Sequence, residues 1–170
     1  MKKLLLILFA ALLLSGCAAA PQANSEYSAD DINFAEMMIP HHEQAILMSD
    51  IALTNSISEE ILVLAQEIKD AQSPEIELMN SWTGAGSSTH MGHMMDGMLS
   101  ESQIQQLQDS EGETFDRLFL EGMIAHHQGA ITMAQKVIGS NNKEVAALAA
   151  AIIEAQEKEI AFMKELIKFY

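Results

Sequence analysis

The feature that most constrains the fold is an internal repeat. Residues 34–48 match residues 119–133 at an offset of 85, and residues 72–79 match residues 156–163 at an offset of 84. The one-residue difference falls where a turn is expected. A repeat of this kind indicates one structural unit used twice, because neither copy can bury its apolar face alone.

Each copy has the pattern of two helices. Core positions recur at alternating spacings of four and three from Phe34 to Ala52 and again from Ile61 to Met79, which is one face of a helix. The pattern continues through Pro40, which predicts a kink rather than an end. Either Ser56 or Ser58 can cap the second helix. Because the turns are short, the sequence predicts an all-α, ferritin-like four-helix bundle, made of two repeated helical hairpins joined by a long crossover.

The first residues resemble an export signal. Lys2 and Lys3 precede an apolar run that is too short to span a bilayer, and Leu-Ser-Gly-Cys17 resembles the bacterial lipoprotein cleavage box. Acylation of Cys17, the only cysteine, would anchor the chain to a lipid bilayer in the cell envelope, on an extracytoplasmic or periplasmic face. The alternative is an ordinary signal peptide.

The chain is predicted to have three parts: a signal peptide (1–16), a flexible tether (17–27) and the duplicated domain (28–170). The domain consists of a first hairpin (28–82), a Met/His-rich linker (83–111) and a second hairpin (112–170).

Charge excludes one class of partner. The formal net charge is −15, and so acidic a chain is poorly suited to nucleic acid. With no cysteine beyond Cys17, a thiolate metal site is excluded as well.

Polar residues occupy the predicted core stripe of both copies. His41 and His126 lie on it, and burying such groups costs several kcal/mol unless they are paired or bind a metal. One interpretation is a hydrogen-bonded network in which the stripe glutamates accept from these two imidazoles. The other, which the duplication favours, is a metal site near a pseudo-twofold axis, with His42 and His127 as ligands or outer partners. The remaining candidates on or beside the stripe are Gln72, Glu75, Gln156, Glu159, Met38, Met79, Met123 and Met163.

The linker holds a second cluster of soft metal ligands. Its candidate ligands are His90, Met91, His93, Met94, Met95 and Met98. Thioether sulfur favours Cu(I), and imidazole suits copper in either oxidation state. The alternative is a loop whose methionines cover the end of the bundle. Met48 and Met133, which lack polar neighbours on the stripe, are interpreted as packing.

These motifs resemble the domain of unknown function 305 family over residues 28–168. The resemblance rests on the two His-His segments and on the two Gln-x-x-Glu-Ile-x-x-Met segments. It implies a ferritin-like bundle, an exported or periplasmic location and, through a copper-resistance member, a link to copper. The positions it implies are Met38, His41, His42, Glu75, Met79, Met123, His126, His127, Glu159 and Met163. Gly122 departs from the repeat, since the first copy has Met37 there.

The leading functional hypothesis is an extracytoplasmic lipoprotein that binds copper, as Cu(I) or Cu(II), for tolerance or trafficking and without turnover. One alternative is a ferritin-like di-metal oxidase or metal-storage protein, although the sequence has no Glu-x-x-His pattern of the kind such sites use. Another is an envelope scaffold with a buried His/Gln/Glu network. Other transition metals are alternatives to copper, and the sequence leaves the number of ions and the oligomeric state open.

Overall fold

The chain folds into an all-α bundle, as the repeat predicted. The computed structural model describes residues 26–83 and 95–170. Within these residues, the helices are α1 (Ala29–Asn55), α2 (Glu59–Thr83), α3 (Glu101–Gln108), α4 (Gly112–Gln135) and α5 (Lys143–Leu166), with a last 3-10 turn at Ile167–Phe169. In this part of the chain, no helix combines the length and the apolar character needed to cross a bilayer.

The two hairpins meet through their first helices. Helix α1 packs along α2, and α4 packs along α5, while α1 and α4 contact each other across the bundle. Helix α3 lies against both α1 and α4. Pro40 and Pro74 lie inside α1 and α2, which continue through them.

The apolar core is divided into two clusters. The first cluster joins the C-terminal half of α1 to the N-terminal half of α4, and includes Met48, Ile61, Phe119 and Met163. The second cluster joins the N-terminal half of α1 to the C-terminal half of α4. Helices α1 and α4 are therefore antiparallel, and the pseudo-twofold operation that exchanges the hairpins also exchanges the clusters.

A polar layer separates the two clusters. Each long helix carries a group of buried or half-buried polar residues between the segment that belongs to one cluster and the segment that belongs to the other. We call this set the histidine layer; it consists of His41, His42, Gln72, Glu75, His126, His127, Gln156 and Glu159.

Helix starts follow the local sequence. Ser28 and Asp31 form a capping box on α1, and Ser100 forms another with Gln103 on α3. Of the two candidates at the start of α2, Ser58 is the cap, because its Oγ accepts from the Ile61 amide. The expected role of Ser56 as a cap is thus wrong, and its hydroxyl has a different partner.

Two carboxylate–hydroxyl pairs join the hairpins, one at each end of the bundle. Ser56, after α1, donates its hydroxyl to Asp116 on α4 at 2.5 Å. Ser140, after α4, occupies the equivalent position and hydrogen-bonds Asp31 on α1. Burial raises the pKa of Asp116. Burial also acts to raise the pKa of Asp31, but hydrogen bonds from Ser140 and Ser28 outweigh it and leave that pKa below its ordinary value.

The two pairs should differ in their contribution to stability. Ser56→Ala leaves the buried Asp116 without its hydroxyl donor, which should lower the free energy of unfolding by about 1–3 kcal/mol. Ser140→Ala is the matched control and should cost less, because Asp31 still accepts from the Ser28 amide at 2.8 Å. The loss of unfolding free energy in each variant is measured by urea unfolding, followed through the fluorescence of Trp82, the single tryptophan. Equal losses in the two variants would contradict this assignment.

Candidate metal centre

Two histidines from different hairpins face each other at the centre of the histidine layer. His41 on α1 and His126 on α4 are both fully buried. Their ring centroids lie 3.7 Å apart, with the ring planes inclined at 40°. Because the two positions correspond in the repeat, the pseudo-twofold axis passes between the two rings.

Both imidazoles of this pair are neutral near pH 7. Burial, together with the nearby His42 and against the opposing effect of the Asp96 carbonyl, lowers the pKa of His41 to about 3. Burial, followed by the neighbouring histidines, holds the pKa of His126 well below its ordinary value, against the smaller opposing effect of the His41 backbone. A neutral imidazole keeps a lone pair on one ring nitrogen, which is the form that binds a metal.

Three of the four ring nitrogens in the pair have no hydrogen-bond partner among residues 26–83 and 95–170. They are His41 Nδ1 and both nitrogens of His126. His41 Nε2 lies 3.3 Å from the backbone oxygen of Asp96. A carbonyl only accepts, so Nε2 carries the proton and the lone pair of His41 is on Nδ1. Buried unpaired nitrogens are costly in an apoprotein, and a metal ion bound by both rings would satisfy His41 Nδ1 and one nitrogen of His126.

The neighbouring histidines pair with the glutamates. His42 Nε2 lies 2.8 Å from Glu75 Oε2, and His127 Nε2 lies 2.5 Å from Glu159 Oε2. The expectation that the glutamates accept from His41 and His126 is therefore wrong. Each carboxylate instead binds the second histidine of its own hairpin, because that ring points towards the partner helix. In both cases Nδ1 has no partner in the described part of the chain.

The core glutamines do not complete this network. Gln72 and Gln156 are almost fully buried. Both amide atoms of Gln72 and the amide oxygen of Gln156 lack a partner among the described residues. A structural network would be expected to satisfy these groups, since buried amides normally find partners. The histidine layer is thus less satisfied than the polar-network interpretation requires.

Methionines flank the layer on both sides. Met38 and Met79 are fully buried in the second cluster, and Met123 and Met163 in the first. Met38 precedes His41 by three residues, as Met123 precedes His126, and this spacing places each sulfur-bearing side chain on the helix face of its histidine. The layer thus combines imidazoles with thioethers close by.

The end of the linker crosses the bundle over this layer. We call Met95–Leu99 the strap; His90, Met91, His93 and Met94 lie outside the described residues. Gln44 on α1 donates to the Leu99 carbonyl at 2.9 Å, and its amide oxygen accepts from the Leu99 amide at 2.7 Å. Asp96 accepts from His41 as described above. The strap is therefore attached to α1 at both of its ends.

Helix α4 accommodates the strap with glycine. A Cβ built on Gly129 would lie 1.8 Å from the Asp96 oxygen, and one on Gly97, whose φ is +85°, would lie 2.4 Å from the Ala125 oxygen. Leu99 packs over Gly122 in the same way, at 3.2 Å from a built Cβ. The departure of Gly122 from the repeat thus has a packing reason.

The strap separates two of the predicted ligands. Met95 packs against the second cluster, which contains Met38 and Met79. Met98 instead lines a cleft of about 250 Å³ between the strap, α3 and α4, beside Leu107. Within the described residues, the structure thus places Met95 and Met98 in different surroundings.

A family model matches residues 31–167 and is described as domain of unknown function DUF305. The chain belongs to the DUF305 family. The sequence resemblance is therefore confirmed. None of the curated proteins matches the sequence.

Solved DUF305 structures share this architecture. A DUF305 fragment from Deinococcus radiodurans is 29% identical, with a TM-score of 0.75, over 84% of this chain and 98% of that one. A DUF305 protein from Streptomyces coelicolor is 30% identical, with a TM-score of 0.74, over 82% of this chain and 93% of that one. CopM in its Cu(II)-bound form is 33% identical, with a TM-score of 0.70, over 82% and 97% of the two chains. CopM structures with Cu(I) or Ag bound also match.

The donor groups of this DUF305 chain suit some metal sites better than others. Among residues 26–83 and 95–170, no three His, Cys, Asp or Glu side chains converge closely enough to hold a metal ion. A ferritin-type di-metal site requires several carboxylates with histidines. Two neutral imidazoles with nearby thioethers instead fit a soft ion of low coordination number, such as Cu(I).

Proposed function

We propose that this protein is an extracytoplasmic lipoprotein that binds copper, above all Cu(I), for copper tolerance or trafficking and without turnover. The observation that carries the proposal is the buried pair of His41 and His126. The two rings lie 3.7 Å apart, with three nitrogens unpaired within the described residues. The apoprotein bears the cost of this arrangement, and an ion bound to one nitrogen of each ring would reduce it.

The surrounding residues define the proposed site. His41 and His126 are its central ligands, and Met38, Met79, Met123 and Met163 supply thioether sulfur from both sides. Glu75 and Glu159 hold the rings of His42 and His127 through Nε2, which leaves Nδ1 of each free to bind a metal. A carboxylate on the far nitrogen of a metal-binding histidine fixes its tautomer and raises its basicity.

The linker and the N-terminus complete the proposal. His90, Met91, His93, Met94, Met95 and Met98 form a second set of copper ligands, of which Met95 lies against the cluster of Met38 and Met79. Cys17, outside the described residues, carries the lipid anchor. The proposal on location is also supported by the Streptomyces coelicolor relative, which is described as a candidate secreted protein.

A structural relative that binds soft metal ions supports the proposal. CopM, at 31–33% identity in its metal-bound forms with Cu(I), Cu(II) or co-crystallised Ag, shares the fold over more than four-fifths of this chain. Ag and Cu(I) are both soft monovalent ions, for which thioethers are preferred ligands. Zinc and nickel fit a methionine-flanked pair of histidines less well.

An anaerobic titration with Cu(I) tests this function. The chain from Ala18 onward competes with a chromophoric chelator, and we expect tight binding with a whole-number stoichiometry. A variant that replaces the six linker ligands should bind fewer ions or bind them more weakly, with its helix content preserved. Binding of iron with ferroxidase activity would favour the di-metal alternative. Failure to compete with a weak chelator would favour the scaffold, for which the His42–Glu75 and His127–Glu159 pairs are the supporting observation.

A further inference from the structure

The strap makes two equivalent histidines unequal. In the repeat, His41 corresponds to His126, yet only the imidazole of His41 makes a hydrogen bond to the strap, which passes over the backbone of Ala125 and His126. The Asp96 carbonyl fixes the proton of His41 on Nε2, while neither ring nitrogen of His126 makes a hydrogen bond of ordinary geometry among the described residues. The pseudo-twofold symmetry of the bundle is therefore broken at its centre.

The strap explains two of the positions at which the repeats differ in sequence. Gln44 and Gly129 occupy equivalent positions, and so do Met37 and Gly122. On α1, Gln44 holds the strap by two hydrogen bonds. On α4, the two glycines leave the space that the strap occupies. Any side chain at position 129 would clash with the Asp96 oxygen, because its Cβ would lie 1.8 Å from that atom. These two sequence differences are thus those that one strap, lying across two similar helices, requires.

We propose that Gln44 is a positioning residue for metal binding: with Gly129, it seats the strap so that the Asp96 carbonyl fixes the His41 imidazole with Nδ1 as its metal-binding nitrogen. This inference rests on the proposed function, because it assigns a role in copper binding to a residue that does not touch the ion. Its chain of contacts runs from Gln44 to Leu99, along the strap to Asp96, and from that carbonyl to His41 Nε2.

The geometry distinguishes positioning from ordinary packing. Gln44 bonds both the amide and the carbonyl of one residue, Leu99, and so fixes the strap in position and in direction. Three residues along the strap, the Asp96 carbonyl accepts from the ring. Outer partners that orient a metal-binding histidine in this way typically change metal affinity by about 10–100-fold when they are removed.

Two variants release the strap from opposite sides. Gln44→Ala removes both hydrogen bonds to Leu99, and Gly129→Ala introduces a Cβ that would lie 1.8 Å from the Asp96 oxygen. In the mature protein, both should raise the dissociation constant for Cu(I) by about 10–100-fold. Both should also change the ring-nitrogen signals of His41 in the ¹⁵N NMR spectrum of the apoprotein, from a fixed Nε2–H tautomer to a mixture of tautomers.

Matched controls separate this effect from a general loss of structure. Gln128→Ala replaces an exposed glutamine next to Gly129, and Gly139→Ala adds a methyl group where no atom lies within 4 Å. Both should leave the Cu(I) affinity and the His41 signals at parent values. Retention of both parent values in Gln44→Ala and Gly129→Ala would overturn the proposal.

The result also separates this inference from the proposed function. If the parent binds Cu(I) tightly and the two strap variants bind equally tightly, the positioning role of Gln44 is wrong and the copper function stands. If the parent itself fails to bind Cu(I), the copper function is wrong and the metal role of Gln44 fails with it. The His41 signals then show whether Gln44 orients that ring for another purpose.

Discussion

The His126→Leu variant is expected to be more stable than the parent apoprotein and to bind Cu(I) about 100-fold more weakly or worse. Both ring nitrogens of His126 are buried without a partner among the described residues. Leucine has a similar size and no polar atoms, so the replacement should raise the free energy of unfolding by about 1–3 kcal/mol. Loss of a direct ligand should exceed the 10–100-fold typical of outer partners. Urea unfolding and competitive Cu(I) titration measure the two effects.

The adjacent histidine provides the control. His127→Leu removes the partner of Glu159, which lies 2.5 Å from His127 Nε2 in a half-buried position. That variant should therefore lose stability, although it changes the same residue type one position along the same helix. A metal site at His126 predicts that the free energy of unfolding rises in His126→Leu and falls in His127→Leu. A destabilised His126→Leu protein with the Cu(I) affinity of the parent would instead favour the scaffold.

The expected gain in stability of His126→Leu is the opposite of what the sequence alone predicts. From the stripe alone, replacing His41 or His126 should leave a buried glutamate unpaired and lower stability. The structure assigns the glutamates to His42 and His127 instead. Successive helical residues differ by about 100° in direction, so His41 faces α4 while His42 faces α2. Sequence spacing gives these directions but not which neighbouring helix lies along each of them.

Much of the bundle could be predicted because the repeat constrains it twice. The stripes from Phe34 to Ala52 and from Phe119 to Val137 indicate the same buried face independently, and the short turns make each hairpin antiparallel. Pairing of two like units then brings His41 beside His126 without further information. Local capping signals, such as Ser100 with Gln103, depend only on neighbouring residues, so they can also be identified from the sequence.

The path of the strap could not be predicted, because it depends on contacts between distant residues. Gln44 is 55 residues from Leu99, and nothing in its local sequence distinguishes it from an exposed helical glutamine. A signal was nevertheless present in the repeat. The mismatches at Gln44/Gly129 and at Met37/Gly122 mark the surface where the two halves have different neighbours.

The apoprotein is expected to lose stability steeply as the pH falls from about 6.5 to about 5. In the unfolded chain, His41 and His126 titrate near the ordinary pKa of 6.5, whereas burial lowers the pKa of both in the folded state, that of His41 to about 3. The unfolded state therefore binds more protons below pH 6.5, and acid favours it. Stability from this source is complete above pH 6.5 and is lost as the pH falls towards the folded-state values.

The size of the effect follows from proton linkage. Each histidine that is protonated only in the unfolded state changes the free energy of unfolding by up to about 1.4 kcal/mol per pH unit. The pair therefore contributes up to about 2.7 kcal/mol per unit once the pH is well below 6.5. Urea unfolding at half-unit intervals of pH, with a chelator present to keep the protein metal-free, measures this slope.

The His126→Leu variant tests which residues cause the slope. Removing one of the two buried imidazoles should reduce the pH dependence by about one proton between pH 6.5 and 5.5, and His41→Leu/His126→Leu should reduce it by about two. Ser140→Ala is a suitable control, because it alters Asp31, whose pKa is lowered from 3.8 and which therefore titrates below this range. An unchanged slope in the double variant would show that the acid sensitivity arises elsewhere. It would also remove the support for a neutral, metal-ready pair of imidazoles at the centre of the bundle.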